Sequence, residues 1–173
     1  MILNERTDRS ESVIAAARNM MTAARTAPKT KGTDYVEIAL VTDDDLEALS
    51  EKMKQIGEER GRMGMVRDAD CILRGECVVL IGSKIRPQGL NCAHCGFPSC
   101  ADKPENVPCA FNSIDVGIAL GSACATAADR RVDTRVMYSV GVAAQALGYL
   151  PDCRLVQGIA VSASSKSPFF DRG

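Results

Sequence analysis

Apolar residues recur every three or four positions from residue 10 to residue 26. Val13, Ile14, Ala17, Met20, Met21 and Ala24 fall on one side of a helix, with Ser10 or Ser12 placed to cap it. Pro28 and the polar stretch to Asp34 end the pattern, and residues 35–42 are rich in strand formers, with Val36, Ile38 and Leu40 on one face. An amphipathic helix is predicted over 42–56: Thr42 or Asp43 caps it, acids fill its first turn, and Leu46, Leu49, Met53 and Ile56 form its inner stripe. Residues 57–70 read as a loop and 77–83 as a short buried strand. A helix over 113–128 is small on nearly every side, which predicts a central position with close neighbours. A further helix over 138–151 is ended by Gly148 and Pro151, and a last strand over 154–163 precedes a polar tail. This alternation predicts an α/β or α+β protein built on one central sheet, and the lack of repeats or linkers makes residues 1–173 a single domain.

Composition narrows the packing and the partners. The chain has 173 residues, 46 % of them hydrophobic, yet only 4 % are aromatic and none is Trp, so Ala, Gly, Val, Ile and Met must fill the core. Twenty-one basic residues against 22 acidic ones give a net charge of −1, without the basic face that nucleic acids require. The N-terminal MILNERTDRS turns charged within a few residues and has no apolar core for a secretory signal. No run approaches the roughly 18 apolar residues of a membrane span. The expectation is a cytoplasmic protein with no membrane partner, in which cysteines stay as thiols and tight spacing means metal or redox chemistry.

Eight cysteines are present, and four of them fall in one loop as C-x2-C-x4-C-x8-C: Cys92, Cys95, Cys100 and Cys109. Two disulfides are disfavoured by the compartment, which leaves a zinc ion or an iron–sulfur cluster. Structural zinc commonly takes paired CxxC knuckles, and only the first pair here is one. A cubane needs thiolates from several directions, which staggered cysteines in an irregular loop can supply. Gly96 permits close backbone approach, Pro98, Pro104 and Pro108 stiffen the loop, and a helix begins just after Cys109, where its amides face an anionic group. Those features suit either metal group. Cys71, Cys77, Cys124 and Cys153 read as small core residues, with Cys71 and Cys77 near enough in sequence to replace a lost ligand. His94, the single histidine, reads as an exposed loop residue, and no Ser–His–Asp or Cys–His nucleophile can be assembled. Arg25, Lys29 and Lys31 suit an anion or simply a helix C-terminus. Lys166 among the hydroxyls of SASSKS suits a phosphate or simply a polar tail.

Two resemblances extend this reading. CAHCGFPSC is similar to the CxxCGxxxC core of the small 4Fe–4S domain of electron-transfer complex and CO-dehydrogenase-associated subunits. With ARTAPKTKG, GIALGSA and SASSKSPFFDR, the whole chain resembles an uncharacterised prokaryotic family of ferredoxin-domain-containing proteins. That resemblance implies a 4Fe–4S cluster on Cys92, Cys95, Cys100 and Cys109. More weakly, residues 23–53, 115–128 and 147–167 resemble the FMN-dependent nitroreductases, although Lys29 and Gly32 replace that family's Ser and Asn, and its N-terminal Arg-x-Ser is not matched. The second resemblance implies an α+β fold with a central antiparallel or mixed sheet flanked by helices, and a cluster loop inserted at 84–112 before the central helix. It also implies a homodimer with FMN near Arg25, Lys29 and Lys166. The expected function is electron relay through the cluster, possible FMN-dependent reduction of a small substrate included. The alternatives are a non-enzymatic electron carrier or regulatory module that docks to a larger redox enzyme, and a zinc-stabilised interaction domain.

Overall fold

The computed structural model describes residues 1–170. Its elements are helix α1 (Glu5–Thr26), a 3-10 turn at Thr30–Gly32, strand β1 (Val36–Val41), α2 (Asp43–Glu59), α3 (Met63–Ile72) and β2 (Cys77–Lys84). After a long irregular loop follow α4 (Ala110–Asp129), β3 (Asp133–Met137), α5 (Tyr138–Ala146) and β4 (Cys153–Ser162). The four strands form one sheet in the order β1-β2-β4-β3, and every pairing is antiparallel.

The sheet is covered on both faces, and β2 shows why. Cys77, Val79 and Ile81 point to one side and join Val13, Ala17 and Met20 of α1 and Val116, Ala119 and Ala123 of α4. Val78 and Leu80 point to the other side and join Leu49 and Met53 of α2, Met65 and Ile72 of α3, and Val140 of α5. A strand buried on both faces has no polar alternation, which is why 77–83 reads as a continuous apolar run. Small residues set the spacing, and no tryptophan is needed. At Gly141 a Cβ would lie 1.8 Å from the Val156 carbonyl oxygen, so α5 sits directly on β4. On the opposite face, the Ser122 hydroxyl donates to Ala23 O at 2.9 Å across the α1–α4 contact.

Four details differ from the sequence reading. Helix α1 begins at Glu5, capped by Asn4, whose side chain accepts from the Arg6 amide at 3.0 Å. Residues 57–70, expected as loop, are helical except at 60–62: α2 runs on to Glu59 and α3 starts at Met63, with Met65, Ala69 and Ile72 buried at helical spacing behind a glycine-rich entry. Residues 133–137 form an edge strand that pairs with β4 alone, and its Asp-Thr-Arg start hid it. Helix α4 is buried on only one side: Ile114, Gly117, Ile118, Gly121 and Ala125 face outward. No helix among the described residues is long and apolar enough to cross a membrane.

Candidate metal centre

Strand β2 ends at Lys84, and the chain re-enters regular structure only at Ala110. Between them the loop folds on local hydrogen bonds. The Asn91 amide donates to Cys100 Sγ at 3.4 Å, while the Cys100 amide donates back to Asn91 Oδ1 at 2.8 Å. The left-handed residues Gly89, Asn91, Ala93 and Gly96, with φ of 72°, 48°, 59° and 86°, turn the chain tightly around this clasp. Lys103 closes the far side by donating to Val107 O, at 2.5 Å, and to Pro104 O. His94 is exposed, as expected, and stacks on Phe111 with ring centroids 5.4 Å apart.

The loop brings its four cysteines to one place. Cys92, Cys95, Cys100 and Cys109 all line one small pocket that is partly open to solvent. Leu90, Phe97 and Phe111 make much of the remaining wall apolar, and Cys109 sits at the N-cap of α4. Among the described residues, no three His, Cys, Asp or Glu side chains converge tightly enough to hold a single metal ion. The four thiols share one pocket without converging on a single point. All eight cysteines are free of disulfides. A multi-iron cluster takes its thiolates at separate corners, and four unpaired thiols around an apolar cavity fit such a group.

The other cysteines sit in the body of the protein. Burial, with a smaller push from Glu76, raises the Cys77 thiol to about 12, and burial chiefly raises Cys153 to about 11. Burial also pushes the Cys124 thiol up, and Cys71 is buried in the α2–α3 core. Cys77, Cys124 and Cys153 are neutral packing residues at physiological pH.

Behind the cavity lies a network the sequence did not announce. Gln88, Asn112 and Asp115 are each 3 % exposed. Asn112 donates to Lys84 O and Arg86 O, so its oxygen is left to accept from Gln88 Nε2 at 3.0 Å. Gln88 Nε2 also approaches Asp115 Oδ2 at 3.5 Å, and Asp115 Oδ1 accepts from both the amide and the hydroxyl of Thr30. Lys31, with φ of 59°, donates to Gln88 O. Asp115 near the start of an apolar helix was a faint sequence signal for this network; Gln88 gave none.

The cationic residues are placed differently from one another. Arg25 donates to Asp34 and to Val36 O, and the three Lys29 Nζ contacts all go to carbonyls at the end of α1. Lys166 is exposed in the bend after β4. None of the three is brought to the cysteine cavity, whose walls they do not line.

Comparison with solved structures defines the fold first. A nitroreductase, CinD from Lactococcus lactis in complex with nicotinic acid, superposes with a TM-score of 0.61 over 95 % of this chain and 81 % of its own, at 14 % identity. A nitroreductase with bound FMN from Bacteroides fragilis gives 0.60 over 87 % and 77 %, at 11 % identity. The hypothetical oxidoreductase YcnD from Bacillus subtilis gives 0.53 at 19 % identity, covering 88 % of this chain, which spans only 58 % of that protein's length. The chain has the nitroreductase fold. An uncharacterized protein of Archaeoglobus fulgidus is 43 % identical over 182 residues, covering 99 % of this chain and 98 % of that one. The family described as "Uncharacterized protein containing a ferredoxin domain (DUF2148)" matches residues 105–172. The chain belongs to that ferredoxin-domain family.

Proposed function

We propose that the protein is an iron–sulfur redox protein that holds a 4Fe–4S cluster on Cys92, Cys95, Cys100 and Cys109 and relays single electrons through it. The observation that carries this reading is the shared cavity lined by all four thiols. A structural zinc site commonly takes paired CxxC knuckles, and Cys92–Cys95 is the one such pair among the four. When bound, the cluster supplies reversible one-electron chemistry. The chain's own contribution is to orient the thiols through the Asn91–Cys100 clasp, donate the Asn91 amide to sulfur, and exclude water with Leu90, Phe97 and Phe111.

The finer proposal adds FMN at Arg25, Lys29 and Lys166, and a homodimer. The nitroreductase fold supports the flavin, whereas the engagement of Arg25 and Lys29 with their own backbone counts against those particular contacts. The outward face of α4 supports a second copy of this chain: Ile114 and Ile118 are exposed, and a Cβ at Gly117 or Gly121 would meet nothing within 4 Å. Residues 1–173 as one domain and 84–112 as its cluster loop belong to the same reading.

The test is one anaerobic preparation assayed for iron, acid-labile sulfide, zinc and flavin. Iron and sulfide in equal amounts, with a brown colour lost in Cys92→Ser or Cys109→Ser, are expected. Stoichiometric zinc without sulfide would overturn the cluster, and acid extraction releasing no flavin would overturn FMN.

A further inference from the structure

The wall of the cysteine cavity carries one buried polar atom without a partner. Gln88 is 3 % exposed and lines the cavity beside the four thiols, yet its Oε1 accepts no hydrogen bond. An orphaned buried carbonyl oxygen ordinarily costs enough free energy that a side chain turns to relieve it. Gln88 is prevented from turning. Asn112 spends both amide protons on Lys84 O and Arg86 O, so it presents only an oxygen to Gln88. Asp115, held by Thr30 N–H and Oγ–H, presents another. Both oxygens demand the Nε2 end of Gln88, and the carbonyl end is left over.

We infer that Gln88 is a positioning residue whose locked amide lowers the reduction potential of the group held by the four cysteines. The inference rests on the iron–sulfur reading above. Donors to cluster sulfurs spread negative charge and raise the potential. A fixed, buried carbonyl oxygen on a residue that lines the pocket does the reverse. It makes the added electron less welcome, and the burial of Gln88 leaves little water beside its carbonyl to screen the effect. The amide that could have donated to sulfur is turned away into the Asn112–Asp115 network.

The test is the midpoint potential of the reconstituted protein and its Gln88→Met variant, which keeps side-chain length and removes the dipole. At fixed ambient potential, Q88M should show a several-fold higher reduced-to-oxidised ratio, with iron and sulfide content unchanged. An unchanged ratio, or a lower one, overturns the inference. Because Q88M leaves Asn112 and Asp115 short of a donor and can weaken the fold, a second measurement uses the wild type. Reduced protein labelled with 15N in its glutamine side-chain amides should show no strong 15N hyperfine coupling to the cluster; a strong coupling would make Gln88 a sulfur donor and overturn the proposal. Wild-type protein that takes up no iron and sulfide defeats the cluster reading itself. Loaded protein with an indifferent Q88M defeats this inference alone.

Discussion

Cysteine chemistry in this chain is divided by burial. Cys77 is fully buried between α1 and the sheet, and desolvation keeps its thiol neutral up to about 12. Cys92, Cys95 and Cys100 are partly exposed on an irregular loop. Alkylation of the metal-free, folded protein at mildly alkaline pH should therefore label these three and spare Cys77 and Cys153, with peptide mass spectrometry giving the sites. Labelling of Cys77 at a comparable rate would mean that the α1 face opens readily. A second residue-scale prediction concerns Asp34. Partial burial pushes its carboxyl up, but hydrogen bonds from Arg25 and the Val36 amide, with the Arg25 and Lys29 charges, outweigh this and hold it below the usual range. A depressed carboxyl stabilises the fold above its unfolded pKa, and that contribution disappears as pH falls through the folded one. Asp34→Asn should cost under about 1 kcal/mol at neutral pH, since the side chains of Asp34 and Arg25 are 32 % and 45 % exposed, and nothing at low pH where the carboxyl is already protonated. Thermal melts of both proteins across the acid range check the sign.

At the scale of elements, packing depends on glycines at closest approach. Gly141 on α5 would place a Cβ 1.8 Å from Val156 O, and Gly158 on β4 would place one 2.2 Å from Val140 Cγ1. Neither neighbour can yield, because one is backbone and the other a β-branched core side chain. Gly141→Ala should destabilise by about 3 kcal/mol, at the upper end of overpacking effects, read from denaturant midpoints. The elements that were legible in the sequence are those whose burial writes a clean period. Leu46, Leu49, Met53 and Ile56 announce α2, and the unbroken apolar run announces β2. Helix α3 was hidden because glycine and charged residues precede and interrupt a short stripe, and β3 because an edge strand may carry polar residues on both faces without penalty. The four cysteines that share the pocket were legible as spacing. Their supporting network was not, since Gln88 meets Asn112 and Asp115 across 24 and 27 residues of chain, and Thr30 meets Asp115 across 85.

Over the whole molecule, the sheet and its two helical layers are complete without the cysteine loop. Both hydrophobic clusters exclude residues 85–109, and Asn112 on α4 anchors the loop's entry by donating to Lys84 O and Arg86 O. Removing metal with a chelator should abolish visible absorption while leaving the far-UV circular dichroism and the cooperative melt largely intact. A collapse of both would show that the group is a structural staple. If α4 pairs with a second copy, Ile118→Arg should convert a dimer to a monomer in light scattering without altering iron content.

The Thr30–Asp115 and Asn112–Lys84 bonds belong to the folded body, so the receptacle's rear wall stands before anything fills it. On the iron–sulfur reading, a cell short of iron would then accumulate a finished polypeptide waiting to be charged. Supply of the inorganic core, rather than synthesis of the chain, would decide how much working protein exists.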